Sequence, residues 1–453
     1  MTSTKKFLIF IYVLNFTSFL FFTYLRVTYS PYALTETFTV GDGKTLKVGI
    51  LGDTQLIYSD KDPYYNYTAH LEKAFKVMKN NDVEVIIFTG DISNCGHEYA
   101  FKIFKDQFDK AFPDNKPILN IAMGNHDYYY IKHQQSIPVI HQKTLEKVLN
   151  EKPFSHKIIN GYHFINWGSM NPNSFTSNTN LLWANEQIEQ AVKDNSTKPV
   201  FVNTHLAPYG TMYGSDLWGT PSIGYVLKHY EQVISFSGHS HYALTDERSI
   251  WQGEYTAIQT QAVAYIELEY GKENGSIPTD EFGDKIYSKR NYMGLIMNVQ
   301  EDKIELKRIS FENDGEIYKE NSPWIVDLPI EKKTFRYVTE KRILNRTKPY
   351  FENGDIKYIE AIKDEKIYRQ LQFTQAKHED LVHSYRIVFK KDEKEKEFLY
   401  FSDFFLMPRN RTETLTVKIS NTIKKGEYDV SIYAIESFGL ESTTPLSKKI
   451  SIG

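Results

Sequence analysis

Between about Leu46 and Ser310, short runs rich in β-branched and aromatic residues alternate with amphipathic stretches of helical period. This alternation is typical of a layered α/β or α/β/α domain, because each helix and strand must bury its apolar face against a neighbouring layer. The predicted strands are residues 46–52, 83–90, 116–124, 198–205, 233–239 and 255–269. The helix after the second strand is predicted to bury a stripe of phenylalanines at helical spacing, namely Phe101, Phe104, Phe108 and Phe112.

Five polar clusters each follow a strand of this series. In chain order they are Asp53–Gln55, Asp91, Asn125–Asp127, His205 and His239–His241. Ligand sites in open α/β sheets lie at the carboxyl ends of strands, so we expect the same edge of the sheet to collect all of these groups. A single Gly-Asp after a strand is more often a turn, but the five clusters in this order predict a site.

The residue types in these clusters are those that bind a pair of divalent metal ions. Imidazoles and carboxylates with a few amide oxygens suit Mn, Fe or Zn, whereas an all-oxygen set would suggest Mg or Ca. Two cations about 3.5–4 Å apart stabilise both the attacking and the leaving oxygen of an in-line displacement at phosphorus. They also lower the pKa of a shared water to about 7, so hydroxide can attack phosphorus without a Ser or Cys nucleophile.

The order of the clusters resembles that of the calcineurin-like metallophosphoesterases, whose motifs run D-x-H, GD, GNH-(D/E), H and GHxH. The resemblance covers about residues 46–310 and implies a layered α/β/β/α sandwich. It also implies that Asp91 bridges two divalent ions, with Mn the first expectation and Fe, Zn or Mg as alternatives. The remaining ligands would be Asp53, Gln55 and His241 for one ion, and Asn125, His205 and His239 for the other.

The same resemblance suggests roles for the residues that follow Asn125. His126 is expected outside the metal shell, where it donates to a phosphate oxygen or protonates the leaving group. Asp127 is expected to partner the His126 ring, with a structural role as the alternative. His126 and Asp127 are therefore the catalytic candidates, and Asn125, His126 and His97 are the substrate-binding candidates. His97 could equally cap the following helix.

The chain departs from the family pattern at Gln55, where the family usually has a histidine. A glutamine carbonyl is neutral, harder and a weaker donor than imidazole, so the first site should favour Mn or Mg. Some members similar to nucleoside diphosphate hydrolases carry glutamine here, which is compatible with activity. Asn94 stands where purple acid phosphatases have tyrosine, and the GDISNCG and GNHD motifs differ from those of Ser/Thr protein phosphatases. Neither branch is therefore expected.

Two aromatic segments are further candidates for contact with a substrate. Tyr128, Tyr129 and Tyr130 follow the GNHD motif and could either stack on a base or sugar or pack in the core. Residues 207–220, APYGTMYGSDLWGT, lie between two predicted metal ligands and are expected to form a loop that faces the substrate.

The C-terminal part of the chain has a different pattern. Residues 331–355 are rich in Lys, Arg, Thr and Asn and suggest a linker, and the following segments alternate with period two. This predicts a small antiparallel β-sandwich similar to a fibronectin type III module, with a docking or spacer role. The expected domains are the N-terminal segment 1–30, the catalytic domain 40–325, the linker 326–350 and the β-sandwich 351–453.

The N-terminal residues 7–25 form an uncharged apolar run after Lys5 and Lys6. The run is about as long as the roughly 20 residues that a bilayer core requires, which favours an uncleaved signal anchor over a cleaved signal peptide. The body of the protein is then expected outside the cell or in a lumen, either membrane-anchored or secreted. Asn-x-Ser/Thr sequons are compatible with export as a glycoprotein.

The charge balance excludes one class of partner. The chain has 54 Lys plus Arg against 57 Asp plus Glu, a net charge of −3, so nucleic acid is not expected as a main partner. The expected partner is a phosphoester, either a small molecule, a nucleotide or a lipid. The rival hypothesis is a non-catalytic membrane-anchored scaffold or adhesion protein that retains the fold. Gln55 and the C-terminal unit motivate this rival, and the number of retained ligands argues against it.

Overall fold

The computed structural model describes residues 29–57, 67–129, 137–169, 177–286, 291–312 and 314–453. The apolar run 7–25, predicted to be a signal anchor or signal peptide, lies outside these ranges. Within them, no helix is both long enough and apolar enough to cross a bilayer.

Helices lie mainly in the first half of the chain. The described α-helices are α1 Thr68–Asn80, α2 Glu98–Ala111, α3 Pro138–Leu149, α4 Asn178–Asp194, α5 Ser215–Trp218, α6 Pro221–Leu227 and α7 Thr339–Leu344. Short 3-10 helices occur at His126–Tyr128, Glu247–Ser249, Lys332–Thr334 and Pro408–Asn410.

Strands occur along the whole described chain. Those of the first half are β1 Glu36–Phe38, β2 Leu46–Leu51, β3 Val85–Phe88, β4 Ile118–Ile121, β5 Phe154–Ile159, β6 Tyr162–Trp167, β7 Val200–Thr204, β8 Ala207–Pro208 and β9 Gly219–Thr220. They are followed by β10 Val233–Ser237, β11 Ile250–Gln252, β12 Thr256–Gln259, β13 Met293–Val299, β14 Lys303–Ser310, β15 Glu316–Tyr318 and β16 Trp324–Asp327. The C-terminal strands are β17 Ile356–Lys363, β18 Lys366–Thr374, β19 Val382–Lys391, β20 Lys394–Phe401, β21 Thr414–Lys418, β22 Gly426–Glu436 and β23 Leu446–Ile452.

Two seven-stranded mixed sheets form the larger unit. The first has the order β15-β14-β13-β2-β3-β4, with β16 also paired to β14, and the second has the order β1-β5-β6-β7-β10-β12-β11. In the first sheet β2, β3 and β4 are parallel. In the second sheet β6, β7, β10 and β12 are parallel. Each sheet therefore presents one edge at which the carboxyl ends of several neighbouring strands meet.

The two sheets pack face to face between helices. Val48 and Ile87 of the first sheet share one core with Phe164 and Phe236 of the second. Helices α1, α2 and α3 cover the outer face of the first sheet, and α4 and α6 cover that of the second. The predicted layered α/β/β/α fold is confirmed. The predicted phenylalanine stripe is also confirmed, because all four rings of the stripe are buried in the core under α1 and α2.

The structure corrects three details of the sequence prediction. The strand ends that carry the polar clusters belong to two sheets, not to the edge of one. The predicted strand 255–269 is confined to Thr256–Gln259. The β5–β6 hairpin was not predicted, because its inner positions are partly polar. Lys157 is buried there in an ion pair with Glu151 at 2.6 Å, so this strand does not have an apolar pattern.

The C-terminal region forms two antiparallel sheets. One has the order β17-β18-β21 and the other β20-β19-β22-β23. The predicted period-two pattern is confirmed, because Tyr385, Ile387 and Phe389 of β19 all point into the shared core. The charged run 390–397 spans the exposed end of the β19–β20 hairpin. The similarity to fibronectin type III stays a prediction.

The segment predicted to be a linker packs against the larger unit. Phe335 is buried in the core between the two sheets. Arg342, in α7, donates to the carbonyl oxygens of Ile250 at 3.0 Å and Glu247 at 2.6 Å. The segment between the larger unit and the C-terminal sheets is therefore packed against the larger unit.

A buried ion cluster around Glu247 lies beside this segment. The carboxylate accepts hydrogen bonds from Arg308 Nη1 at 2.9 Å, Lys319 Nζ at 3.2 Å and Trp324 Nε1 at 2.8 Å. Burial opposes ionisation of Glu247, but the positive charges of Arg308 and Lys319 outweigh it and lower the pKa of Glu247 to about 2. The Arg308 side chain is only 1% exposed, so it depends on this partner.

We expect Glu247→Ala to lower the free energy of unfolding by about 3–5 kcal/mol, because it leaves the buried Arg308 without its counter-ion. Urea denaturation of the parent and variant measures this. The folded-state pKa of Glu247 is lowered from 4.5, so its stabilisation is present above about pH 4.5 and is lost as the pH falls towards about 2. The difference in free energy of unfolding between parent and variant should therefore decrease over the same pH range.

The control is Glu72→Ala, which removes an exposed carboxylate that pairs with Lys110 at 2.6 Å. Glu72→Ala should lower the free energy of unfolding by less than about 1 kcal/mol, as is usual for exposed ion pairs. Equal losses in the two variants would contradict the importance assigned to the Glu247 cluster.

Candidate metal centre

The carboxyl ends of two sheets converge on one buried group of side chains. From the first sheet, Asp53 and Gln55 follow β2, Asp91 follows β3 and Asn125 follows β4. From the second sheet, the groups that follow β7 and β10 are His205, His239 and His241. The structure therefore brings all seven predicted metal ligands to one region between the sheets.

The backbone at these strand ends is unusual. Asp53, Gln55, Asp91, His239 and His241 all have positive φ, between 43° and 68°. A left-handed conformation is disfavoured for any residue with a Cβ and is retained where surrounding structure enforces it, most often at functional sites. Five of the seven predicted ligands share this conformation, which turns their side chains out of the strand direction and into the centre.

A glycine permits the close approach of two of these turns. A Cβ at Gly124, which precedes Asn125, would overlap the carboxylate of Asp91 and lie 2.7 Å from His205 Cε1. The glycine of the GNHD motif is thus required because the backbone after β4 lies directly against the Asp91 side chain.

Asp91, His205 and His239 form the tightest part of the centre. One potential ligand atom from each lies within 4.8 Å of the others. His205 Nε2 is 3.3 Å from Asp91 Oδ2 and 3.0 Å from Asn125 Oδ1. These groups match the second predicted ligand set, which comprises Asp91, Asn125, His205 and His239.

The remaining predicted ligands, Asp53, Gln55 and His241, contact one another. His241 Nε2 is 3.4 Å from Asp53 Oδ1 and 3.4 Å from the side-chain amide of Gln55. The backbone N–H of His239 donates to Asp53 Oδ1 at 3.1 Å. Gln55 therefore lies beside His241, the residue with which it was grouped as a predicted ligand.

Backbone carbonyls orient two of the imidazoles. His205 Nδ1 lies 2.8 Å from the carbonyl oxygen of Thr89, and His241 Nδ1 lies 3.1 Å from that of Tyr265. A neutral ring with its proton on Nδ1 would present the Nε2 lone pair to the centre. Metal-ligating histidines are commonly held in this way, by a carbonyl or carboxylate on the nitrogen that does not bind the metal.

The charge of the centre is shared between carboxylates and imidazoles. Burial opposes ionisation of Asp91, but the neighbouring His205 and His126 outweigh it and lower the pKa of Asp91. Burial likewise disfavours the cation of His205, yet the Asp91 charge raises the pKa of His205 to about 9. Burial and then the charge of His205 lower the pKa of His239 well below its usual value. The centre thus favours cations close to Asp91.

The side chains present fit divalent metal ions. Asp91 Oδ2 is buried, and among the described residues it has His205 Nε2 at 3.3 Å, an ion-pair distance, but no hydrogen bond of good geometry. A buried carboxylate oxygen normally has a partner, and a cation is one that these surroundings accommodate. The mixed imidazole, carboxylate and amide donor set is also that of a transition-metal site. The cluster therefore indicates divalent-metal binding and leaves the identity of the metal open.

Asp127 makes contacts different from those expected from the sequence. Its carboxylate accepts backbone hydrogen bonds from Asp91 at 3.0 Å, Ser93 at 2.8 Å and Gly124 at 3.0 Å. Burial and then the negative charge of Asp91 raise the pKa of Asp127 to about 7. Asp127 thus ties the loop after β3 to the loop after β4, whereas the His126 ring takes its hydrogen bond elsewhere.

His126 is half-buried at the rim of the centre. Its backbone N–H donates to Asp91 Oδ1 at 2.9 Å, and its Nδ1 lies 3.2 Å from the carbonyl oxygen of Asn94. The ring also packs edge-on against Tyr129, with 4.8 Å between ring centroids. This leaves Nε2 as the ring nitrogen available to a substrate.

The other substrate-binding candidates separate into two groups. His97 is exposed and is the N-cap of α2, where its Nδ1 accepts a hydrogen bond from the Tyr99 N–H. Tyr128 is fully buried and donates to the Ser169 carbonyl oxygen, which fits core packing. Tyr129 is 41% exposed and its hydroxyl accepts a hydrogen bond from Asn125 Nδ2 at 2.9 Å. Tyr130 lies outside the described residues.

Sequence reasoning did not single out Trp218. Its indole ring meets the His239 ring edge to face, with 5.3 Å between centroids and an interplanar angle of 89°. The available signal was its place in the aromatic segment 207–220, which the sequence predicted to face a substrate. Tyr265 was also missed, because its role is played by a backbone carbonyl that no residue type specifies.

Comparisons with known proteins agree with the motif order. Residues 46–243 match the family model described as calcineurin-like phosphoesterase. The match covers somewhat less than half of the chain and supports the metallophosphoesterase family for that segment. A comparison with curated proteins finds no match.

Among solved structures, the chain is similar to a dimetal phosphatase from Danio rerio, with 13% identity, 59% of this chain and 97% of that chain covered, and a TM-score of 0.38. It is also similar to a purple acid phosphatase from yellow lupin, Lupinus luteus. That match has 12% identity, covers 62% of this chain and 55% of the lupin chain, and has a TM-score of 0.37.

We expect Asp127→Ala to lower the free energy of unfolding by about 3 kcal/mol or more, because it leaves three buried backbone N–H groups without an acceptor. Chemical denaturation of the metal-free protein measures the loss. Asp42→Ala is a matched control, since the exposed Asp42 carboxylate also accepts from two backbone N–H groups, those of Lys44 and Thr45. Water can replace that carboxylate, so a much smaller change is expected. A stable Asp127→Ala protein would contradict the structural role.

Proposed function

We propose that the protein is a metal-dependent phosphoesterase that hydrolyses a phosphate monoester or diester. The observation that carries the proposal is the buried Asp91 carboxylate, whose potential ligand atom lies within 4.8 Å of those of His205 and His239 from the second sheet. A small-molecule phosphoester is the expected class of substrate. The family match of residues 46–243 supports the same class of reaction.

The proposed metal ligands are the seven side chains at the two sheet edges. Asp91 would be shared by two ions, with Asp53, Gln55 and His241 on one side and Asn125, His205 and His239 on the other. When bound, two divalent cations supply Lewis-acid stabilisation of phosphate charge and lower the pKa of water. The positive φ of five of these residues supports the assignment, since strain of this kind accumulates at functional sites.

The residues of the chain then have distinct tasks. The Thr89 and Tyr265 carbonyls fix the rings of His205 and His241, so that their Nε2 atoms stay directed at the centre. Asp127 holds the loops after β3 and β4 together and acts as a positioning residue. His126 is proposed to touch the substrate, because its Nδ1 faces the Asn94 carbonyl and Nε2 can hold a proton for a phosphate oxygen or the leaving group.

A non-catalytic scaffold is the competing function. Gln55 favours it, because an amide beside His241 is a weaker metal ligand than the imidazole that the motif usually supplies. Elemental analysis of metal-replete protein separates the two proposals. Fewer than one bound metal ion per chain would favour the scaffold, whereas about two would favour the enzyme.

The substrate and compartment stay proposals. A screen of Mn-loaded protein against a monoester, a diester, a nucleotide and a phospholipid would identify the accepted class. The proposed location, outside the cell or in a lumen, rests on residues 7–25 alone, and protease protection of the full chain in sealed membranes would test it.

We expect Asp91→Asn to reduce hydrolysis of p-nitrophenyl phosphate and bis-p-nitrophenyl phosphate at least 100-fold in Mn, since even indirect ligand supports affect metal sites by about 10–100-fold. The variant should remain folded by circular dichroism and should bind less metal. Asp194→Asn is the control, because Asp194 also lies near a histidine, 3.8 Å from His163 Nε2, but outside the centre. Parental activity in Asp91→Asn would refute the proposed bridge.

We expect Gln55→His to shift metal preference towards Zn, because imidazole is a softer and stronger donor than an amide oxygen. The ratio of bound Zn to bound Mn after loading in an equimolar mixture should rise on the order of tenfold. The exposed Gln190→His, in α4, controls for an added surface imidazole. An unchanged ratio would mean that residue 55 is not a ligand.

A further inference from the structure

The aromatic segment between two predicted metal ligands reaches the rim of the centre. Residues 207–220 follow His205 and include α5, whose last residue is Trp218. Trp218 is half-buried and packs against the His239 ring, with 5.3 Å between ring centroids. The Tyr270 ring lies next to Trp218, with 6.4 Å between ring centroids. Tyr270 is 59% exposed. Trp218 is therefore the first large aromatic side chain encountered on leaving the centre past His239.

The middle of this segment is held against residues that follow the GHSH motif, 238–241. Tyr213 is buried, its N–H donates to the Arg248 carbonyl oxygen at 2.9 Å, and its ring lies 4.7 Å from that of Tyr242. Gly214 has a φ of +86°, and a Cβ there would lie 2.7 Å from the Tyr242 ring. Since Tyr242 directly follows His241, the position of this loop is coupled to that of the predicted ligands.

Another contact of Tyr213 comes from the C-terminal sheets. His383, in β19, is 4% exposed and its Nε2 lies 3.1 Å from the Tyr213 hydroxyl. Burial and then the charge of Arg248 lower the pKa of His383 to about 4, so the ring is neutral near pH 7. A neutral ring can offer Nε2 as an acceptor, and the Tyr213 hydroxyl then donates to it. Phe401 and Phe404 enclose this hydrogen bond.

We propose that Tyr213 and His383 are positioning residues through which the C-terminal sheets hold Trp218 at the metal centre, where it contacts the group esterified to phosphate. This rests on the proposed phosphoesterase function and deepens it. The indole face and edge favour a planar or apolar group over a small alkyl group, so the preferred substrates are aryl or similarly flat esters. The C-terminal unit is then part of the substrate site and more than a spacer.

The first experiment measures the position of Trp218 in metal-free protein, without any substrate. Acrylamide quenching gives its accessibility, with the Trp218 signal obtained by difference from Trp218→Phe. Tyr213→Phe removes the hydroxyl that bonds to His383. We expect the fraction of molecules in which Trp218 is displaced and accessible to acrylamide to rise about fivefold, the usual effect of one lost hydrogen bond. Tyr385→Phe is the matched control, because Tyr385 is buried in the C-terminal sheets and bonds only to residues there among those described, Ala376 N and Gln375 Oε1.

A second pair of variants separates the hydrogen bond from general packing. His383→Gln retains a side-chain acceptor for the Tyr213 hydroxyl, whereas His383→Leu does not. We expect His383→Gln to keep the parental accessibility of Trp218, and His383→Leu to resemble Tyr213→Phe. Equal behaviour of the two His383 variants would overturn the role of the hydrogen bond.

The second experiment measures specificity in the metal-loaded protein. Phenyl and methyl esters are compared, in whichever mono- or diester form the parent hydrolyses. Tyr213→Phe and Trp218→Ala should raise the ratio of KM for the phenyl ester to KM for the methyl ester about fivefold, because only the phenyl group is large and flat enough to be stabilised by the indole ring. A purely structural defect would affect both esters alike.

The outcomes are distinct. The proposal is overturned if Tyr213→Phe changes neither Trp218 accessibility nor the ratio of KM values, or if Tyr385→Phe causes the same changes. It is also overturned if Trp218→Ala leaves the ratio unchanged. A parent that hydrolyses no ester would refute the phosphoesterase function, and the quenching measurement on metal-free protein would still decide whether Tyr213 and His383 position Trp218.

Discussion

The buried Asp91 carboxylate is the group around which the larger unit is organised. It lies at the end of a strand in one sheet, and the imidazoles of His205 and His239 reach it from the other sheet, with His205 the main counter-charge. An unpaired charge in a protein interior costs several kcal/mol, so the two sheets must bring imidazoles, backbone donors or cations to this point. The face-to-face packing of the sheets aligns their edges so that this pairing is possible.

The loops at these edges are shaped by the same constraint. Side chains that continue the pleat of a strand would point away from the edge, and the left-handed turns at residues such as Asp53 and His241 redirect them inward. Such turns cost free energy and need support. Asp127 supplies part of it by accepting three backbone hydrogen bonds, which makes the acid of the GNHD motif a component of the loop structure.

The C-terminal sheets contact the larger unit through buried polar groups as well as through apolar packing. Arg346 pairs with Asp380 at 2.7 Å, and Lys319 pairs with the same carboxylate at 2.5 Å. His383 reaches the loop that carries Trp218. A flexible tether would not need these buried pairs, since solvent would satisfy the same groups. The arrangement favours a fixed relation between the C-terminal sheets and the rim of the centre.

The amino-acid sequence alone determined the layered α/β class, the phenylalanine stripe of α2, the all-β character of the C-terminal region and the side chains that gather at the centre. These follow from hydrophobic period and from glycine-polar pairs after strands, which are local signals. Strands such as β5 were not predicted because their buried positions include polar residues such as Lys157, which interrupt the apolar pattern. The division of the centre between two sheets, the carbonyls that orient His205 and His241, the role of Asp127 and the place of Trp218 were decided only by the tertiary structure. Each of these depends on contacts between segments that are distant in sequence, and no local pattern of residue types encodes such contacts.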